Sequence, residues 1–197
     1  MDEADIAASS KQTFGRVKPG DFKYRDQNGD GEIDSNDEVF LGRFDSPMTL
    51  GVNLTAKWNS FTFFIMGTGY FGGYGLKNSS YYWVKSDDKY SEAVRDRWTE
   101  TTKNTATYPR LTTTNGDNNF RSSDFWMYKT DRFDLSLAQL TYDIPKSVFK
   151  GSFVKELSAY VGGYNLLTIS KERKHLEMNI GNAPQSRFYN IGLKAVF

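Results

Sequence analysis

The last nine residues, Tyr189-Asn190-Ile191-Gly192-Leu193-Lys194-Ala195-Val196-Phe197, decide the fold. Tyr189, Ile191, Leu193, Ala195 and Phe197 recur at every second position, with Asn190, Gly192, Lys194 and Val196 between them. Successive side chains of a strand point to opposite faces, so this is a strand with one apolar face. The same period runs through Leu50, Val52, Leu54, Ala56 and Trp58, against Gly51, Asn53, Thr55 and Lys57. The chain turns at Asn59-Ser60 and resumes as FTFFIMGTGYFGG, which predicts a tight hairpin of two long strands. RFDLSLAQLTYDIP alternates through Phe133, Leu135 and Leu137, then shifts phase to Leu140, Tyr142 and Ile144. A bulge near Ala138-Gln139 accounts for that shift, and Pro145 ends the strand. LSAYVGGYNLLT, from Leu157 to Thr168, is a further strand whose Gly162-Gly163 pair marks a bend.

The connections alternate in length. Asn59-Ser60 and the Lys146–Glu156 region are short; Gly72–Asp131 and Ser170–Ser186 are long and polar. Short turns at one end and long loops at the other are the layout of outer-membrane barrels. A structureless loop of more than fifty residues is foreign to a compact domain. Within the longer stretch, SEAVRDRWTE reads as a short helix. No run of about 18 apolar residues exists to form a transmembrane helix, and the acidic start MDEADIAASSKQ is not a secretory signal. A transmembrane strand needs only about 9–11 residues and alternates in polarity, so the membrane stays open as a location.

Composition narrows the classes. The chain has 197 residues, with 25 basic and 24 acidic side chains and a net charge of +1, which argues against nucleic acid as a partner. There is no cysteine and one histidine, His175, so thiolate and multi-histidine metal chemistry are excluded. Aromatic residues make up 16% of the chain, yet its mean hydropathy is −0.61. The aromatics fit either a sandwich core or a lipid-facing surface with girdles. Trp58 at the short-turn end and Tyr70, Phe71 and Tyr74 at the long-loop end suit girdles.

The most specific chemical motif is Asp26-Gln27-Asn28-Gly29-Asp30-Gly31-Glu32-Ile33-Asp34-Ser35-Asn36-Asp37. Oxygen donors at alternate positions can converge on one hard cation, Gly31 permits the sharp turn, and Ile33 anchors the loop to a core. Asp26, Asn28 and Asp30 are the expected side-chain ligands of Ca2+. Glu32 would offer its carbonyl, Asp34 would bind directly or through water, and Asp37 would close the site. The last ligand is Asp rather than Glu and the flanks PGDFKYR and EVFLGRF read as extended, so the loop resembles a dockerin type with a structural role. The alternative is an Asx-rich surface turn. His175 lies in a charged loop and reads as solvated. GTGYFGGYG lacks the Lys-Ser/Thr of a phosphate loop. Asp87-Asp88 and Asp96 with Glu100 form no traceable nucleophile–base set, so no enzymatic role is expected.

Taken in order, PGDFKYRDQNGDGEIDSNDEVFLG, SPMTLGVNL, SSDFWMYKTDRFDLSLAQLTYDIPKSVF, LSAYVGGYNLLTISK and RFYNIGLKAVF resemble the C-terminal part of SusC/RagA-family TonB-dependent outer-membrane transporters. The terminal strand, closing on Phe197, also resembles the β-signal of outer-membrane proteins. The resemblance implies an all-β fold: the C-terminal portion of a transmembrane antiparallel barrel, about five to seven strands with long extracellular loops. Residues 1–47 would then be an extracellular region carrying the acidic loop, and 48–197 the strands and their loops. Asn53, Thr55, Lys57, Asn190 and Lys194 would face the lumen. The family imports glycans or peptides with a SusD-like surface lipoprotein as partner, coupled to the TonB complex through an N-terminal part that this chain lacks. It sits in outer-membrane lipid. The chain is far shorter than the family, so a fragment with an internal Met1 is expected. The competing expectation is a soluble or surface-attached calcium-binding β-domain, a carbohydrate-binding or adhesive module. The two differ in whether Leu50, Val52, Leu54, Ile191 and Leu193 meet lipid or a second sheet.

Overall fold

The computed structural model describes residues 1–113, 118–178 and 183–197. They form two compact units: residues 1–42 with 76–128, and residues 43–75 with 129–197.

The second unit is a five-stranded antiparallel sheet. The strands among the described residues are, in chain order, β1 (Lys11–Gln12), β2 (Glu32–Ile33), β3 (Met48–Trp58), β4 (Phe61–Phe71), β5 (Tyr74–Leu76), β6 (Met127–Lys129), β7 (Arg132–Asp143), β8 (Glu156–Ile169) and β9 (Phe188–Val196). The large sheet runs β3-β4-β7-β8-β9, so each long strand pairs with the next long strand along the chain. The hairpin turns at Asn59-Ser60 as the sequence predicts. Asn59 adopts φ +50°, a left-handed conformation that asparagine tolerates better than most residues.

Cross-strand register fixes the faces. Leu54 opposes Ile65, Ile65 opposes Ala138, Ala138 opposes Gly163 and Gly163 opposes Tyr189, giving one apolar row across all five strands. Parallel rows carry Ala56, Phe63, Leu140, Val161 and Ile191, and Trp58, Phe61, Tyr142, Ala159 and Leu193. Thr55, Lys57, Thr62, Gln139, Thr141, Asn190 and Lys194 lie on the opposite, polar face.

The phase shift in β7 is real but sits earlier than Ala138-Gln139. The register slips between Leu135 and Leu137, where Ser136 is the extra residue against β4. Leu137 therefore joins the polar face and not that of Phe133 and Leu135. In β8 the ladder passes straight through Gly162-Gly163. The irregularity falls at Asn165-Leu166, with Asn165 at φ +53°. Glycine at 162 and 163 answers crowding: a Cβ at Gly162 would lie 2.8 Å from Asn190 Oδ1, and one at Gly163 2.6 Å from Leu166 Cδ2. In β4 a Cβ at Gly67 would lie 2.3 Å from the Phe133 ring, which lies across Gly67 toward Gly69.

The first unit gives much of the long Gly72–Asp131 connection a packed core. Residues 76–128 fold with the N-terminal segment around Val84, Val94, Tyr108, Phe120 and Trp126, each at most 6% exposed. Trp126 is the hub, with ring centroids 4.8 Å from Phe125, 5.8 Å from Tyr108, 5.9 Å from Phe22 and 6.0 Å from Phe120. Its Nε1 donates to the Asn119 carbonyl at 2.8 Å. Buried polar groups complete the packing. Gln12 Nε2 donates to Asn118 Oδ1 at 2.6 Å, Phe22 N to Asn119 Oδ1 at 2.9 Å, and Asn119 Nδ2 to Asp21 Oδ1 at 2.7 Å. Arg110 Nη2 donates to Asp21 Oδ2 at 3.0 Å, while its Nε lies 2.7 Å from Oδ1 at too bent an angle for a hydrogen bond. The expected helix in SEAVRDRWTE is a single 3-10 turn, Glu92–Val94, capped by Ser91. Helices are short: α1 (Glu3–Ala7) and α2 (Arg173–Met178). PGDFKYR and EVFLGRF form no ladder; the only pairing beside the acidic loop, among the described residues, is the short parallel contact of β1 with β2.

Candidate functional site

The large sheet has two faces of different chemistry. On its apolar face Leu50 is 53% exposed, Leu54 57%, Leu193 74% and Ile191 86%. A sandwich would bury these residues against a second sheet, and their exposure shows that none covers them. Strands of 9 to 14 residues match the length that a tilted strand needs to cross hydrocarbon. At about 3.4 Å per residue and a tilt of ~45°, β3 and β4 would span about 25 Å.

Aromatics gather at the short-turn end of this face. Trp58 stacks with Phe61 at 6.5 Å, Phe61 meets Tyr142 at 4.9 Å, and Phe153 stacks with Phe197 at 5.4 Å. At the loop end Phe71 shares the apolar face, but Tyr70 does not. It lies on the polar face, where the Arg132 guanidinium sits 4.4 Å above its ring. Arg132 Nε also donates to Asp134 Oδ2 at 2.8 Å, and Thr168 Oγ1 donates to Asp134 Oδ1 at 2.7 Å.

The acidic loop is organised by its own carboxylates. Asp26 accepts from Gly29 N at 2.6 Å and Gly31 N at 2.9 Å, and from the Ser10 hydroxyl at 3.1 Å. Asp37 accepts from Gln27 N at 2.7 Å and from Asp34 N at 2.8 Å, joining the two ends of the loop. Asn28 Oδ1 accepts from Asp30 N, Asp30 Oδ1 from Glu32 N, and Asp34 Oδ1 from Asn36 N. The Glu32 side chain turns away to Lys11 at 3.2 Å. Gly29 and Gly31 hold φ of +77° and +88°, which only glycine adopts without cost. Ile33, 2% exposed, anchors the loop as expected. Hydrogen bonds from loop amides hold the Asp26 and Asp37 carboxyls below their ordinary pKa. The oxygens face these amides, and among the described residues no three acidic or histidine side chains converge as a metal cluster.

Other residues singled out in the sequence are dispersed. His175 lies on α2, its Nε2 3.2 Å from Glu172 Oε2. Asp88 Oδ2 accepts from Lys85 N at 2.9 Å and closes a turn. Burial pushes the Tyr24 and Tyr108 phenols up to about 12, so both stay neutral donors. Sequence reasoning missed the Arg132–Tyr70–Asp134–Thr168 cluster. Its members lie on three strands, and only the register brings them together.

No protein-family model matches the chain. It is 30% identical over 184 residues to TonB-dependent receptor P26 of Formosa agariphila, covering 88% of this chain and 18% of that relative. In fold it is similar to the RagAB peptide importer. Against the open-open state the TM-score is 0.66 at 22% identity, covering 84% of this chain and 19% of that one. Against the closed-closed state it is 0.64 at 22% identity, covering 85% and 20%. The chain spans about a fifth of the length of these proteins.

Proposed function

Because the chain belongs to the TonB-dependent receptors, proteins of the outer membrane, we propose that its five long strands are consecutive staves of a transmembrane barrel. The apolar face meets lipid and the polar face lines the lumen, in an importer of the SusC/RagA type. The observation that carries this is the apolar face itself, continuous across five strands, with Leu50, Leu54, Trp58, Ile191 and Leu193 on it more than half exposed. Closure with further strands would satisfy the open edges of β3 and β9, which in hydrocarbon are very costly. The short-turn end, where aromatics gather, is then periplasmic, and the long connections are extracellular.

The imported solute is a peptide or a glycan, received with a SusD-like surface lipoprotein and moved with energy from the TonB complex. RagAB, the fold neighbour, is a peptide importer, and that likeness supports the peptide alternative. The chemistry of the acidic loop supports a bracing Ca2+, held by Asp26, Asn28, Asp30, Asp34 and Asp37 with the Glu32 carbonyl. Calorimetric titration with Ca2+ tests this: unchanged uptake by Asp26→Ala would remove the loop as its site.

The barrel assignment is tested by single cysteines carrying nitroxides at successive positions from 188 to 196, read for collision with oxygen and with a water-soluble nickel complex. Lipid exposure should peak at Tyr189, Ile191, Leu193 and Ala195, and water exposure at Asn190 and Lys194. A profile without a two-residue period would overturn the assignment.

A further inference from the structure

We propose that Arg132 is a recognition residue for a carboxylate on the transported solute, a reading that rests on the polar face lining the lumen. Three observations fix the guanidinium before any ligand arrives. Its Cζ lies 4.4 Å from the Tyr70 ring centroid, its Nε is bonded to Asp134, and Asp134 accepts in turn from Thr168, which is 4% exposed. Both terminal nitrogens lack a partner among the described residues, and the side chain is 31% exposed. An arginine used only for structure would spend those donors on the protein. Here the two terminal nitrogens, the fork that matches a carboxylate bidentately, remain unused by the anchors. Because the side chain is already ordered, binding costs little further entropy.

The surroundings leave Arg132 to act alone. Its neighbours on the loop half of the polar face, Thr49, Thr68, Tyr70 and Thr168, are uncharged apart from Asp134. Lys57 and Lys194 lie at the turn end of their strands. Asp134 bonds the Nε edge, so an incoming carboxylate takes the terminal edge. The carboxylate can be a peptide C-terminus or a uronic acid, and the chemistry recognised is the same.

The test uses the complete receptor in detergent micelles and calorimetry with two probe pairs. One is a pentapeptide with a free or an amidated C-terminus. The other is a tetrasaccharide with one glucuronic acid or its neutral glucose counterpart. In one pair the acid form should bind about ten-fold or more tightly, the worth of a charge-assisted hydrogen bond. Arg132→Gln, which still covers Tyr70, should bring that acid form down to the affinity of its neutral partner. Lys57→Gln should leave the preference intact. Absence of a preference in both pairs, or its survival in Arg132→Gln, overturns the proposal. Labelling of Thr68→Cys in cells by a water-soluble maleimide separately reports the lumen. If Thr68→Cys labels and the preference is absent, only the role of Arg132 fails; if it does not label, the lumen assignment fails.

Discussion

Replacing Leu54 by arginine puts the two-faced wall to a quantitative test. Leu54 stands in the middle of β3, in the row with Ile65, Ala138, Gly163 and Tyr189, and 57% of it is exposed. If lipid covers that face, the wild-type leucine contributes about 1–2 kcal/mol, that share of the ~1.5–3 kcal/mol of a fully transferred leucine. A lipid-facing arginine at the midplane costs about 2–4 kcal/mol. The sum, about 3–6 kcal/mol, is more than two orders of magnitude in the folding equilibrium. Thr55→Arg, one residue on and facing the other way, should stay within about 0.5 kcal/mol. Urea titration of the receptor in phospholipid vesicles, read by heat-modifiable mobility on gels, gives both values in one series. Equal shifts for the two arginines would refute the face assignment, and a neutral Leu54→Arg would return the sheet to water.

Three further outcomes follow from the packing. Gly67→Val should cost about 1–3 kcal/mol, because its Cβ would lie 2.3 Å from the Phe133 ring; adding Phe133→Ala should recover part of the loss in detergent melting midpoint. Trp126→Ala should destabilise the first unit by about 3–5 kcal/mol, read as faster proteolysis within residues 76–113 while the strand circular dichroism persists. Asp26 and Asp37 have depressed pKa values, so the loop order they confer is present above the ordinary carboxylate value of 3.8. It is lost only as pH falls below that value. Protection factors of the Gly29 and Gly31 amides, corrected for intrinsic exchange, should therefore hold at pH 5 and decline only below 3.8, and protection lost between pH 7 and pH 5 would remove the carboxylates as its cause.

The strands were legible because period two is a local signal. Leu50 to Trp58 and Tyr189 to Phe197 each declare a face without any partner. The bulge was legible in existence but not in place. Apolar letters at Leu135, Leu137 and Leu140 fit either site of the extra residue, and only pairing with Met66 and Gly67 selects Ser136. The core around Trp126 was hidden for a different reason. Its members come from segments far apart in the chain with no shared period, and long-range hydrogen bonds from Gln12, Phe22 and Tyr24 to Asn118 and Asn119 tie the N-terminal segment to it. Tyr70 misled because an aromatic near a strand end suits a girdle. Its parity with Thr68 and Met66 places it on the other side. Arg132 was invisible as a site because an arginine at a strand start is ordinary until its neighbours are known.

The offsets at Ser136 and at Asn165-Leu166 lie side by side on adjoining strands, both toward the loop end. Two such defects in line act as a crease, since each adds twist and lets its strand bend. Below them the ladder runs unbroken to the turns. Above them stand only Arg132 to Leu135 and Leu167 to Ile169. The crease thus sets the short segments that carry Arg132, Asp134 and Thr168 apart from the longer ladder toward the turns, while the unbroken β3–β4 pairing runs past it.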